Sequence, residues 1–227
     1  MDNCDVSGRP VAAYDWEAAF APYDGETYRA ALAFIRPGDV VLDIGAGDLR
    51  FTRRAAARAR RVVAVERNRA LLPSLVERGA EEAGNLIVIC ADALTWPFPF
   101  GVTVGVLLMR HCRHFREHAA KLRAVGCARL ITNARWGMGV EQIALDGPRP
   151  AYHALESRWY ACACGAVGFA PGPAHLIDAR RLAQAVEVSD CPMCIATWGG
   201  PCGRPARRRE MYAPEGQTRR RSGGRRL

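Results

Sequence analysis

The chain has 227 residues, enough for one full α/β domain and a small second unit. Its net charge of +9 is uneven: residues 204–227 hold nine arginines against Glu210 and Glu215, a net of +7, which leaves the rest nearly neutral at +2. No apolar run reaches the ~20 residues of a membrane span and the start lacks the basic and apolar regions of a secretory signal, so a cytoplasmic protein whose nine cysteines are thiols or metal ligands is expected.

Residues 1–9 are polar, and Val11 to Ile35 follows a helical pattern broken around Pro22-Tyr23-Asp24-Gly25. The second helix, Glu26 to Ile35, carries Tyr28, Leu32 and Ile35 on one face, and Arg36-Pro37-Gly38-Asp39 stops it. Val40 to Ile44 is then an apolar run of the kind that fills a strand buried on both faces. It breaks at Gly45-Ala46-Gly47, and Leu49 to Arg60 reads as a helix with its arginines outside. Strand, glycine turn and helix make a nucleotide cradle, because glycines let the backbone approach a ligand and the free N–H groups of a helix start face it. A dinucleotide site wants a third glycine where this chain has Arg50, so that reading loses support. Arg61 to Glu66 is the second strand and ends in an acid 23 positions after Asp43, near the ~20-residue offset of a ribose-binding carboxylate. Leu71 to Gly79 is the next predicted helix, and Asn85 to Cys90 is the third strand, followed by Ala91-Asp92-Ala93-Leu94.

Asp43-Ile44-Gly45-Ala46-Gly47 resembles motif I of the class I S-adenosylmethionine-dependent methyltransferases. With Phe51-Thr52-Arg53-Arg54, Val62 to Glu66, Leu71-Leu72 and Asn85 to Leu94, the stretch from about Val40 to Leu94 is similar to the ribosomal RNA adenine dimethyltransferase family. The resemblance implies a doubly wound Rossmann-like α/β sheet in the order 3-2-1-4-5 with late strands appended. It implies S-adenosylmethionine held by Asp43, Gly45, Ala46 and Gly47 at the turn, by Glu66 and Arg67 at the ribose, and by Asp92 and Ala93 at the adenine. The fourth strand, Val102 to Met109, is where the likeness stops. The family continues with Asn/Asp-Pro-Pro and an aromatic that holds the target base, whereas this chain has Leu108-Met109-Arg110-His111-Cys112. His111 then stands nearest the donor methyl. Two readings are open: it removes a proton from the acceptor as the catalytic base, or it packs against the cofactor or the chain. Cys112 lacks the preceding proline of a covalent cytosine mechanism.

Phe115, Ala119, Leu122 and Val125 form the buried stripe of the next helix, while His114 and His118 are expected on a solvated face, having no third ligand for a metal. Cys127 to Thr132 is the fifth strand, and Asn133-Ala134-Arg135-Trp136 at its exit are expected acceptor contacts. Val140 to Leu145 and Ser157 to Tyr160 follow as strands, with a helix from Asp178 to Val186. Cys162-Ala163-Cys164-Gly165 and Cys191-Pro192-Met193-Cys194 resemble the two knuckles of a zinc ribbon, in which four thiolates surround Zn²⁺ tetrahedrally. A redox C-x-x-C is the rival for Cys191 and Cys194, but it leaves the other pair unexplained. Cys202 reads as a spare. The expected organisation is a cofactor-binding domain at residues 1–147, a zinc-ribbon-like module at 148–203 and a disordered arginine-rich tail at 204–227 that offers charge to RNA. The leading expectation is a methyltransferase acting on RNA. Behind it stand a protein or small-molecule methyltransferase, and a non-catalytic cofactor-binding module that docks through its zinc ribbon.

Overall fold

The computed structural model describes residues 25–71, 84–110, 112–135 and 139–202. Its central sheet has six strands: β1 (Val40–Ile44), β2 (Arg61–Glu66), β3 (Leu86–Cys90), β4 (Val104–Leu107), β5 (Arg129–Thr132) and β6 (Glu141–Ala144). They lie in the order β3-β2-β1-β4-β5-β6, parallel throughout except for the antiparallel β5–β6 pair. The doubly wound Rossmann-like α/β sheet expected from the sequence is therefore present, with β6 as the late strand.

β1 is central because both of its faces are covered, which is why its sequence is apolar without alternation. Every residue of β1 is buried. Val40, Leu42 and Ile44 pack into one cluster with Phe115, Ala119 and Leu122 of α3 (Phe115–Ala124). Val41 points the other way, toward Tyr28 and Leu32 of α1 (Gly25–Leu32) and Phe51 and Ala55 of α2 (Arg50–Ala56). Truncating a fully buried residue such as Leu42 to alanine removes 2–5 kcal/mol on the usual scale. At the N-terminal end of the sheet, Asp39 pairs with Arg129 and accepts hydrogen bonds from Thr103 Oγ1 (2.9 Å) and Arg36 N (2.7 Å). This ties β1 to β5 across β4.

The second sheet has three strands, in the order β8-β7-β9: β7 (Arg158–Cys162), β8 (Val167–Ala170) and β9 (Val186–Val188). Two short helices, α4 (Ala179–Ala183) and α5 (Pro192–Trp198), complete it. Only β7 was expected here. The expected helix from Asp178 to Val186 ends at Ala183, because Val186-Glu187-Val188 pairs in parallel with β7 instead. β-branched valines at this spacing fit a strand once a partner edge is available.

Other boundaries are shorter than expected. α2 starts at Arg50 because Leu49, fully buried, adopts the left-handed conformation (φ 65°) as its cap. The helix expected before Tyr23 and most of the one expected from Leu71 to Gly79 fall outside the described residues, as do His111, Trp136 and the arginine tail. His118 corrects the expected solvated histidine face: it is buried, and burial, then the charges of Lys121 and His114, lower its pKa to about 4. Among the described residues no helix is long and apolar enough to cross a membrane.

Candidate cofactor cradle and thiol cluster

The parallel register brings the acidic ends of three strands to one edge. Asp43 pairs with Ala64 of β2 and Val106 of β4, and Glu66 pairs with Cys90, two residues before Asp92. The chain leaves β1 through Gly45 and Gly47, both with positive φ (72° and 55°), a conformation that costs any residue with a Cβ. The turn folds across β2, with Val65 O accepting from Gly45 N (2.9 Å) and Ala46 N (3.2 Å). At Gly45 there is a second reason for glycine: a Cβ there would stand 2.8 Å from Met109 Cε. The segment after β4 thus lies directly over the glycine turn.

Glu66 closes the cradle. Its Oε2 accepts from Gly47 N (2.9 Å), its Oε1 accepts from Asn68 N (2.8 Å), and the side chain is buried. Each oxygen keeps a second lone pair, so it can still accept from a hydroxyl. Asp43 is buried too, and its Oδ2 accepts a 2.5 Å hydrogen bond from Thr52 Oγ1. Burial pushes its pKa up to about 7. The Thr52 hydrogen bond opposes that rise and the nearby charge of Glu66 adds to it. Two carboxylates held this close, one against its own ionisation, form a site that favours a cation.

Asp92 is exposed, with Oδ1 accepting from Leu94 N (2.9 Å). Its loop is fixed from below by Lys121 of α3, whose ammonium donates to the carbonyls of Ala93 (2.5 Å), Leu94 (2.9 Å) and Trp96 (2.6 Å). Ala46 and Ala93 are half-buried and Arg67 is exposed beside Glu66.

Residues 30–126 match the family model described as ribosomal RNA adenine dimethylase. The first half of the chain is similar to that family. Over 66 residues it is 50% identical to the ribosomal RNA small subunit methyltransferase A of Pelotomaculum thermopropionicum, covering 29% of this chain and 22% of that protein. The probable counterpart of Methanosarcina mazei is 45% identical over 69 residues, 30% of this chain and 25% of its own length. This chain spans about a quarter of the length of the curated relatives it matches. Among solved structures, a dimethyladenosine transferase from Plasmodium falciparum aligns with a TM-score of 0.42 at 20% identity, over 48% of this chain and 41% of that one.

Beyond the matched region lies the exit of β5, where acceptor contacts are expected from the sequence. Arg135 is almost fully buried: it donates from Nε to Glu141 Oε1 (2.6 Å) and pairs through Nη2 with Glu187 Oε1 of β9 (2.6 Å). It joins the two sheets, with Nη1 left buried without a partner among the described residues. Asn133 differs. It is 5% exposed, and among the described residues neither Oδ1 nor Nδ2 has a partner. A buried amide left without partners costs about 1–3 kcal/mol, so its presence calls for an explanation.

In the second sheet the cysteines converge. The Sγ atoms of Cys162 and Cys194 are 3.7 Å apart, and those of Cys164 and Cys191 are 3.6 Å apart. These gaps are too long for disulfides. They match the roughly 3.8 Å edge of a sulfur tetrahedron built on Zn–S bonds of about 2.3 Å. Backbone N–H groups already point at the thiols, from Ala166 to Cys164 Sγ and from Cys194 to Cys191 Sγ, both 3.4 Å. Cys202 also joins them: Cys162, Cys164, Cys194 and Cys202 place their Sγ atoms within 4.8 Å of one another. Its sequence position gave no pairing signal. It arrives because Cys202 N donates to Ser189 O (2.8 Å), which folds the chain back after α5. Glu187–Arg135, Gly165 against the Phe115 side chain and Arg116 over the Trp198 ring (4.0 Å) seat this unit on α3 and the β5 exit.

Proposed function

We propose that the protein is an S-adenosylmethionine-dependent methyltransferase acting on RNA. The observation that carries this is the charge of the cradle: buried Asp43 and Glu66 flank the glycine turn. A dinucleotide would bring a pyrophosphate against those two carboxylates. S-adenosylmethionine instead brings a sulfonium and an ammonium, which repay the cost of ionising Asp43. In this reading Asp43, Gly45, Ala46 and Gly47 hold the methionine end, Glu66 and Arg67 the ribose, and Asp92 and Ala93 the adenine. Bound there, the cofactor supplies an electrophilic methyl, and the protein's part is to align an acceptor with it. RNA as the acceptor rests on the similarity of residues 30–126 to the ribosomal RNA adenine dimethylases and on the nine-arginine tail.

Met109 over Gly45 fixes the start of the segment Leu108 to Cys112 above the cradle, which is what supports His111 as the base. The orphan amide of Asn133, at the end of the strand next to β4, supplies the acceptor-orienting carbonyl that the missing Asn/Asp-Pro-Pro motif would otherwise provide. For organisation, residues 1–147 form the cofactor domain, 148–203 a metal-bound module and 204–227 the RNA-facing tail. The module holds one structural Zn²⁺. Cys162, Cys164 and Cys194 are shared by the sequence pattern and the close thiol group, and Cys191, 3.6 Å from Cys164, and Cys202, near all three, both stand at the fourth position. Labelled S-adenosylmethionine offered to separate RNA, protein and metabolite fractions tests the function. Label in RNA, lost on Asn133→Ala, is the expected outcome; label only in another fraction refutes RNA as acceptor.

A further inference from the structure

Three arginines of the second unit gather around a single carboxylate. Arg158, at the start of β7, and Arg180 and Arg181, on α4, line one cavity of about 310 Å³ together with Asp178 and Gln184. That volume is at the small end of ligand pockets. Asp178 offsets only one of the three positive charges, and its Oδ1 also accepts from Arg181 N (2.7 Å) as the helix cap. Arg181 Nη1 donates to Glu156 O (2.9 Å), which pins α4 to the chain entering β7. Among the described residues, Arg158 Nε is buried without a hydrogen-bond partner. Three like charges brought to one hollow repel each other, and a buried guanidinium N–H left unpaired adds to that cost. Neither cost serves the fold: the core of this sheet is made by Tyr160, Cys162, Ala170 and Val188, and the metal-binding thiols lie at the other end of β7.

We infer that this hollow is a phosphate-binding site that grips one or two phosphodiesters of the RNA acceptor. The inference rests on the RNA-methyltransferase reading above. Guanidinium forks match phosphate oxygens in pairs, and an incoming phosphate would satisfy the orphan Nε and remove the mutual repulsion together. RNA is favoured over a lone phosphometabolite because the same chain continues, from residue 204, into nine arginines that only a polyanion can engage together. The pocket positions the strand and carries no sequence information.

The test uses the full chain and a fluorescein-labelled, mixed-sequence single-stranded RNA of 20 nucleotides, with binding followed by anisotropy between 50 and 200 mM KCl. Arg158→Gln/Arg180→Gln/Arg181→Gln should flatten the plot of log K against log salt by about 0.7–1.4, a 3- to 7-fold smaller loss of affinity across that range. Arg60→Gln/Arg61→Gln/Arg69→Gln removes the same charge outside the pocket and should change the slope far less. Arg180→Gln alone, at an exposed position that cannot unfold the module, should give about a third of the triple variant's effect. S-adenosylmethionine affinity should stay as in the wild type for all three. Equal slopes for the pocket and control triples would overturn the pocket while leaving the RNA reading intact. A wild-type chain that binds no RNA at any salt would overturn the RNA reading, and this assignment with it.

Discussion

Replacing Asp43 by asparagine should stabilise the protein and weaken its cofactor binding together. Asparagine keeps the shape and can still accept the Thr52 hydrogen bond, so the change removes little more than a charge. The folded pKa of Asp43 is about 7, against 3.8 for the free group. The folded state therefore holds a proton that the unfolded chain releases, and the stability this gives is present below pH 3.8 and lost as pH rises toward 7. At 1.36 kcal/mol per unit, Asp43 costs about 4 kcal/mol at pH 8, where it is ionised, and about 2 kcal/mol at pH 5, where the folded state keeps a proton that the unfolded chain has released. Urea unfolding of the cofactor-free protein at both pH values measures it: Asp43→Asn should be more stable by about those amounts, the gap narrowing in acid. His118 titrates in both proteins and cancels in the difference. Calorimetry should show S-adenosylmethionine binding weakened in the variant, and wild-type affinity rising with pH through 7. A variant no more stable than wild type at pH 8, or a gap that ignores pH, would refute the assignment of a buried, cation-seeking carboxylate.

The other predictions follow from single contacts. Glu66→Ala should weaken S-adenosylmethionine by about 1–3 kcal/mol, since it leaves Gly47 N unpaired as well as the ribose, and unchanged calorimetry would count against the cradle. Serine at Cys162, Cys164 or Cys194 should release one zinc per chain by elemental analysis; metal-free wild-type protein purified without chelator ends that proposal. Glu187→Ala leaves Arg135 buried with one partner fewer, Glu141 remaining, and should destabilise by about 1–3 kcal/mol, read as a lower melting temperature. Deleting residues 204–227 should flatten the salt dependence of RNA binding and leave S-adenosylmethionine affinity unchanged; equal RNA binding at low salt would make the tail a solubiliser.

The cofactor half was legible because its signals are local. An apolar run, two glycines and an acid 23 positions later are read along the chain, and a parallel sheet turns that order into one edge holding Asp43, Glu66 and Asp92. What the sequence hid depends on contacts distant along the chain. Arg135 looked like a ligand contact, because nothing nearby in sequence announces Glu187 52 positions away. His118 sits on a polar-looking helix face that another element covers. Cys202 lacks a near partner cysteine, and it reaches the cluster only through the turn bonded to Ser189. β9 went unread, and the expected helix ran on into its first residue, Val186, because a three-residue strand has too short a pattern to reveal its period.

These long-range contacts also bear on why the missing acceptor motif need not end catalysis. In an N6-adenine enzyme, a rigid Asn/Asp-Pro-Pro turn after the fourth strand fixes the base by itself. Here that segment has no proline, and rigidity has to come from outside it. The thiol-rich unit is seated to give it: Arg116 on Trp198 and Phe115 on Gly165 brace α3, the helix that begins just after Cys112, and Arg135 with Glu187 braces the β5 exit beside Asn133. Loss of the metal should therefore weaken methyl transfer more than cofactor binding, because the cradle of β1 and β2 makes none of those contacts. If chelation lowers S-adenosylmethionine affinity and transfer to the same degree, the module supports the whole fold and has no particular hold on the acceptor edge.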